Sequence, residues 1–167
     1  PPYFDHPAYI EALKQSITEE SERLAWKPDR HLITFHGIPK RYVDEGDPYR
    51  RQCEETAQLL ATALELGEDD WTSGFQSRFG KEPWLEPYTE EVLSGLGDQG
   101  VRRLLAACPG FTGDCLETLD EIGREGDELF RAGGGEALHL VPCLNEHPAW
   151  LDAMATIARQ ELSGWSA

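Results

Sequence analysis

The sequence predicts a three-layer αβα domain of the α/β class, built on a four-stranded, mostly parallel sheet. Short apolar runs alternate along the chain with longer segments in which apolar residues recur every three or four positions. This alternation is typical of βαβ units, whose helices cover both faces of a parallel sheet. The 167 residues and the hydrophobic content of 40% suffice for one core, so we expect a single domain over residues 1–167.

Each predicted element begins or ends at a recognisable signal. Asp47 and Pro48 are typical of a helix start, Thr89 is expected to cap a short helix, and three consecutive glycines at 133–135 end another. A leading helical segment is expected over 1–27, and a closing helix and tail over 149–167. The predicted helices cover residues 7–24, 48–66, a segment from 89, 115–132 and 149–162, and the predicted strands cover 30–35, 71–76, 101–107 and 137–141.

Charge and cysteine usage exclude several classes of function. The 15 basic and 31 acidic residues give a net charge of −16, which argues against nucleic-acid binding, because that needs a positive surface. No apolar run reaches membrane-spanning length. The four cysteines lie far apart, which favours a reducing cytoplasm over a disulfide framework or a structural zinc site. The chain begins with two prolines and no Met, so we expect it to be part of a longer chain.

The most informative single residue is His36, which ends a buried apolar strand. Gly37 and Pro39 follow it and favour a loop. Parallel strands place their carboxyl ends at one edge of the sheet, where α/β proteins bind ligands. We therefore interpret His36 as a candidate for proton transfer or metal binding. The alternative is a histidine with a structural role at a strand end.

An acidic row follows the third predicted strand. Glu117, Glu121 and Glu125 are spaced four apart and share one helix face, and Arg124 is the only basic residue near them. The row is either a solvated surface or a cation path, since uncompensated like charges would favour a bound cation. His36 and Glu117 together offer an imidazole and a carboxylate, a ligand pair suited to Fe(II), Co(II) or Zn(II).

Two further features concern the same region. Gly123 and Gly126 lie inside the predicted helix that carries the acidic row, which indicates close packing or a local irregularity. Trp84 lies in a loop between Pro83 and Pro87. It is either a packing residue or a rigid wall for an aromatic ligand.

Three segments of the chain resemble the signature blocks of ferrochelatases, the enzymes that insert Fe(II) into a porphyrin at the end of haem synthesis. They are FHGIPKRYVDEGDPY at 35–49, FQSRFGKEPWLEPYT at 75–89 and CPGFTGDCLETLDEI at 108–122. The resemblance implies a chelatase-like fold and the carboxyl-terminal half of an enzyme made of two similar halves. Porphyrin and Fe(II) are then the substrates, and the missing amino-terminal half is the partner.

Residue roles follow from the resemblance position by position. It implies that His36 and Glu117 are catalytic, that Trp84 and Tyr42 contact the porphyrin, and that the acidic row continues from Glu117 along a helix with a widened turn. It assigns no role to Cys115, where some members have histidine. The implied metal-contacting residues are His36, Glu117, Glu121 and Glu125.

The resemblance also sets the expected substrate and setting. It implies insertion of Fe(II) into protoporphyrin IX to give protohaem, with coproporphyrin III left open as the substrate. We expect no permanently bound cofactor, no 2Fe-2S cluster, a cytoplasmic location with peripheral membrane contact left open, and little activity from this half alone. The alternatives are a half-domain like the sirohydrochlorin cobaltochelatases and a non-catalytic metal- or haem-binding module.

Overall fold

The strands form one parallel sheet in the order β2-β1-β3-β4. The structure is a computed structural model and describes residues 1–165. The parallel order of the strands confirms the predicted α/β class and parallel sheet. The end of the predicted tail, Ser166 and Ala167, lies outside the described residues. The strands are β1 (Arg30–His36), β2 (Trp71–Gln76), β3 (Arg103–Ala107) and β4 (Ala137–Leu140).

Helices cover both faces of the sheet, as the alternating pattern predicts. α1 packs against α3 and α7 on one face, and α4 packs against α6 on the other, where the π-helix contacts β4. The helices are α1 (Pro7–Arg23), α2 (Lys40–Asp44), α3 (Tyr49–Ala63), α4 (Thr89–Leu96), α5 (Leu116–Thr118), a π-helix (Leu119–Gly126), α6 (Asp127–Ala132) and α7 (Pro148–Glu161).

Two apolar cores flank the sheet because successive strand residues point to opposite faces. Ile33 and Leu105 belong to the core beneath α1, α3 and α7. Their neighbours Leu32 and Leu104 belong to the core beneath α4 and the π-helix, and both are completely buried. Strands buried on both faces explain why these segments appear in the sequence as continuous apolar runs rather than alternating ones.

Most helix and strand ends lie close to their predicted positions, but α3 ends at Ala63 rather than at 66, and three other features differ. α2 was not predicted, because none of its residues is buried and it has no apolar period. β3 begins at Arg103 rather than 101, because the Asp29 carboxylate accepts hydrogen bonds from the amides of Arg102 and Arg103 before the strand begins. Thr89 is not a cap, since its buried hydroxyl pairs with that of Thr34 at 2.7 Å.

The segment over 115–132 contains the widened turn that the resemblance implies, although its apolar period predicts one continuous α-helix. It consists of α5, the π-helix and α6, and its predicted apolar stripe is only partly buried. Ile122 and Phe130 are fully buried, but Leu119 and Leu129 are 56% and 39% exposed, and Cys115 is only half-buried. The hydrogen bonds of a π-helix join residues five apart, so the widened turn rotates the stripe away from its α-helical position.

Gly123 and Gly126 explain how this segment approaches the sheet. A Cβ on Gly123 would lie 3.3 Å from Leu140 Cδ2, and one on Gly126 would lie 3.2 Å from Leu93 Cδ1. Both distances are shorter than ordinary carbon contacts. The two glycines therefore mark close packing and a local irregularity together, as their position in the sequence predicts.

The helices within residues 1–165 are short or polar in relation to a lipid bilayer. Within that part of the chain, no helix combines the length and the apolar character that a bilayer crossing requires.

Candidate active site

His36 is the last residue of β1 and is half-buried where the strand ends. Its Nδ1 lies 2.6 Å from the carbonyl oxygen of Gly37. A carbonyl only accepts hydrogen bonds, so in the neutral ring the proton is on Nδ1 and the Nε2 lone pair is free. Tyr49 donates its hydroxyl to the His36 carbonyl at 2.9 Å and fixes the main chain there. His36 is thus held in the tautomer that can accept a proton or ligate a metal through Nε2.

Aromatic side chains surround the His36 imidazole. The ring centroids of Trp84 and Phe111 lie 6.2 Å from that of His36, and the centroid of Phe79 lies 6.4 Å away. Phe79 is 64% exposed although it is large and apolar. An exposed phenylalanine beside a half-buried imidazole forms an apolar surface that a flat aromatic ligand could cover.

Trp84 is held in place by the loop that follows β2. This loop crosses the segment after His36, where Lys40 donates its amide to the Pro83 carbonyl at 2.9 Å and Leu85 donates to the Ile38 carbonyl at 3.0 Å. The indole packs on Gly37, because a Cβ at that position would lie 3.2 Å from Trp84 Cε3. Trp84 is therefore a rigid packing residue and one wall of the aromatic cluster at once.

A cavity of about 490 Å³ lies between the carboxyl end of β2, α4 and the π-helix. It lies at the carboxyl edge of the sheet, where α/β proteins bind ligands. Glu117, Glu121 and Glu125 all line it, together with Phe79. Phe79 thus connects the acidic cavity with the aromatic cluster around His36.

Glu117 lies in α5 at the start of the acidic row. Its own main-chain N–H and the Cys115 thiol donate hydrogen bonds to the carboxylate and, with the nearby His36, lower its pKa below the ordinary value. The carboxylate is therefore ionised at neutral pH. An ionised carboxylate in the neighbourhood of the His36 imidazole can attract a metal cation or a proton.

Glu121 is held by the residue that follows β2. The Ser77 amide donates to one carboxylate oxygen at 2.7 Å, and the Ser77 hydroxyl donates to the other at 2.5 Å. Each carboxylate oxygen has about two acceptor positions, so these bonds leave capacity for a cation. Ser77 has a φ of 63°, an uncommon conformation for a residue with a side chain.

Arg124 corrects the expectation of uncompensated charge in the acidic row. Its guanidinium pairs with Asp120 at 2.5 Å, Glu125 at 3.0 Å and Glu128 at 3.4 Å. The hydrogen bonds to Asp120 raise the pKa of Arg124, which stays fully charged. The repulsion between carboxylates is thus relieved by arginine at the outer end of the row and by Ser77 at Glu121, so repulsion alone does not require a cation.

Tyr42 is not one of the three rings that are paired with the His36 imidazole. It is on α2, 40% exposed, with the Arg41 guanidinium 4.4 Å above its ring. It is not among the residues that line the cavity. Its contact with porphyrin stays a prediction.

The candidate metal-contacting residues form a row rather than a closed cage. Across residues 1–165, no three or more histidine, cysteine or acidic side chains are grouped closely enough to hold an ion together. Sites that store a metal enclose it with several protein ligands.

Several residues at the site were not predicted from the sequence. Gln76 and Ser77 bind the acidic helix, and Phe79 and Phe111 flank His36. The signal for Gln76 and Ser77 was positional, since Gln76 is the last residue of β2 and Ser77 follows it at the carboxyl end of the strand. Asp114 and Asn145 have a structural role, because their side chains join the loops after β3 and β4.

A solved structure shares this fold. A solved structure of SirB from Bacillus subtilis with Fe3+ is similar over 93% of this chain and 56% of its own, with a TM-score of 0.63 at 17% sequence identity. This likeness shows that the two proteins share an αβα fold.

Sequence comparison then gives the family. The ferrochelatase family model matches residues 1–162. A ferrochelatase from Brucella anthropi is 48% identical over 165 residues, and one from Nitrosomonas europaea is 47% identical over 164 residues. The chain belongs to the ferrochelatase family. The matches cover 99% and 98% of this chain but 47% and 45% of the relatives, so the chain spans about half of their length.

Proposed function

We propose that this chain forms the carboxyl-terminal half of a ferrochelatase that inserts Fe(II) into protoporphyrin IX to give protohaem. Membership of the family and the names of the relatives support this activity over the cobaltochelatase and binding-module alternatives. The relatives are about twice as long as this chain, which supports an amino-terminal half as the partner that completes the cleft. No permanently bound cofactor is part of the proposal.

His36 and Glu117 carry the proposal, because the imidazole lies near enough to contribute to the lowered pKa of the carboxylate. Metallation requires the porphyrin to release its two pyrrole protons while Fe(II) loses its water ligands and binds the four nitrogens. Both His36 Nε2 and the ionised Glu117 carboxylate can accept a proton or contact the metal. One of the two handles protons while the other handles Fe(II), and the net reaction releases two protons for each ion inserted.

Glu121 and Glu125 extend the acidic surface from Glu117 along the cavity. In the proposal they bind Fe(II) weakly in succession and lead it to the porphyrin. Weak, open coordination suits this task, because an ion that must leave cannot be enclosed by strong ligands. Glu125 is exposed and lies at the outer end of the row, which makes it the entry position.

Porphyrin would contact the aromatic surface beside His36. Trp84 is rigid and Phe79 is exposed, so the two rings can wall a flat macrocycle with little loss of side-chain freedom. Tyr42 remains a candidate contact at greater distance. The same surface would accept coproporphyrin III, and we propose protoporphyrin IX as the first substrate to test.

The test is anaerobic Fe(II) insertion into protoporphyrin IX, followed optically, with the complete enzyme. His36→Ala and Glu117→Gln should each lower kcat by about 100-fold or more, as expected for the loss of a proton-transferring group. His139→Gln and Glu128→Gln are matched controls outside the site and should retain activity. Undiminished turnover in either site variant would remove that residue from the proposal.

The isolated 167 residues should show little or no metallation, because the aromatic surface is open on one side. Adding protoporphyrin and Fe(II) to the purified chain measures this directly. Robust insertion by this half alone would contradict the need for a second half.

A further inference from the structure

Gln76 is a buried polar residue that connects the two sides of the site. It ends β2, pairs with His36 in the sheet register and is only 3% exposed. An amide buried to this extent is costly unless it is hydrogen-bonded, and an apolar residue would fill the same strand position more easily. The presence of glutamine therefore needs a reason.

The side chain of Gln76 has partners on two other elements. Its Nε2 donates to the main-chain carbonyl of Glu117 at 2.5 Å, and its Oε1 accepts from the Cys108 thiol at 3.7 Å. Burial raises the pKa of Cys108 well above its ordinary value, so the thiol keeps the proton that it donates. These two contacts fix the orientation of the amide, because the flipped form would place its oxygen against the Glu117 carbonyl.

The main chain of Gln76 holds the other side of the site. Its carbonyl accepts a hydrogen bond from the Gly37 amide at 2.7 Å. Gly37 in turn supplies the carbonyl that accepts from His36 Nδ1. Gln76 is thus hydrogen-bonded to Gly37, whose carbonyl sets the His36 tautomer, and to Glu117 in the short helix α5.

We infer that Gln76 is a positioning residue that sets the distance between Glu117 and His36. The inference rests on the proposed function, since it assigns Gln76 a role in the same reaction. Gln76 acts through Glu117: without its hydrogen bond, α5 loses this direct connection to β2, and the bonds between Ser77 and Glu121 hold only the following π-helix. Displacing a reacting group by about 1 Å costs on the order of 100-fold in rate, although substrate binding need not change.

The test substitutes Gln76→Met, which preserves an unbranched buried side chain but removes both hydrogen bonds. In the complete enzyme we expect kcat for Fe(II) insertion to fall by about 10-fold to 100-fold while KM for porphyrin changes by less than about twofold. Thr34→Val is the control, because it also removes a buried hydrogen bond from the sheet but does not contact Glu117. It should leave kcat unchanged.

Hydrogen exchange gives a second readout that does not depend on activity. Amides over residues 116–126 should exchange faster in Gln76→Met and at the original rate in Thr34→Val. An active Gln76→Met enzyme with unchanged exchange overturns the inference alone. If the unsubstituted enzyme inserts no Fe(II), the proposed function fails and the positioning role fails with it. Equal loss of kcat in both variants also overturns the inference, because the effect would then be general destabilisation.

Discussion

Ser77 offers a test of two physical effects at one position. Its hydroxyl donates to Glu121 at 2.5 Å, and its backbone is in the left-handed region with φ of 63°. Ser77→Ala removes the hydroxyl and retains the unfavourable conformation. Ser77→Gly also removes the hydroxyl but adopts this conformation freely.

The magnitude follows from these two effects. A hydrogen bond to a charged group contributes about 1.5–3 kcal/mol, and the partial exposure of Glu121 reduces this to about 1–2 kcal/mol. A left-handed conformation costs a residue with a Cβ about 1–2 kcal/mol. Ser77→Ala should therefore lower the free energy of unfolding by about 1–2 kcal/mol, and Ser77→Gly should be about 1 kcal/mol more stable than Ser77→Ala.

Urea unfolding, followed by tryptophan fluorescence and circular dichroism, measures both differences. Ser77→Thr is a useful control, because it retains a hydroxyl and tests whether the buried position tolerates a larger side chain. Equal stability of the Ala and Gly variants would refute the argument from backbone conformation. Unchanged stability in both would show that the contact with Glu121 contributes nothing.

Three more predictions concern charge, thiols and packing. Folding lowers the pKa of Glu117 from its ordinary value of 4.5, so the ionised carboxylate stabilises the fold above that pH, and this contribution is lost as the pH falls. The urea midpoint of Glu117→Gln should therefore drop less between pH 7 and about pH 3 than that of the unsubstituted protein. Burial raises the pKa of the Cys53 and Cys143 thiols to about 12. Iodoacetamide at about pH 8 should therefore label only the half-buried Cys115 in the native protein, which peptide mass spectrometry would measure. A Cβ at Gly97 would lie 2.0 Å from the Gly133 carbonyl oxygen, so Gly97→Ala should lower the free energy of unfolding by about 3 kcal/mol. Gly95 lies in the last turn of α4, two residues before Gly97, and a Cβ there would have no neighbour nearer than 3.9 Å. Gly95→Ala should therefore stabilise the protein by about 1 kcal/mol, and equal melting temperatures of the two variants would contradict the packing argument.

The sheet could be predicted because its strands are buried on both faces. Continuous apolar runs such as that before His36 predict strands of a parallel sheet when they alternate with amphipathic helical segments. α2 could not be predicted, since it buries no residue and leaves no periodic trace. The position of His36 at the edge of the sheet follows from the parallel order of the strands, which makes it the most securely predicted part of the site.

The acidic row shows where sequence reasoning stops. Four-residue spacing places Glu117 and Glu121 on one face, but an α-helical period does not predict the π-helix that rotates the leucines outward. Ser77 and Gln76 were missed because their partners are more than forty positions away along the chain. Side-chain contacts across such separations leave no local pattern in one sequence.

Two exposed leucines in the segment after β3 place solubility and activity in conflict when the protein is engineered. Leu116 and Leu129 are 79% and 39% exposed, yet both border the acidic cavity. A screen for expression yield would favour lysine or glutamate at these two positions, because exposed leucines promote aggregation. The improved variants would carry new charges at the rim of the cavity, so yield and turnover are expected to select in opposite directions. Libraries of this domain should therefore hold both leucines constant and vary solubility elsewhere.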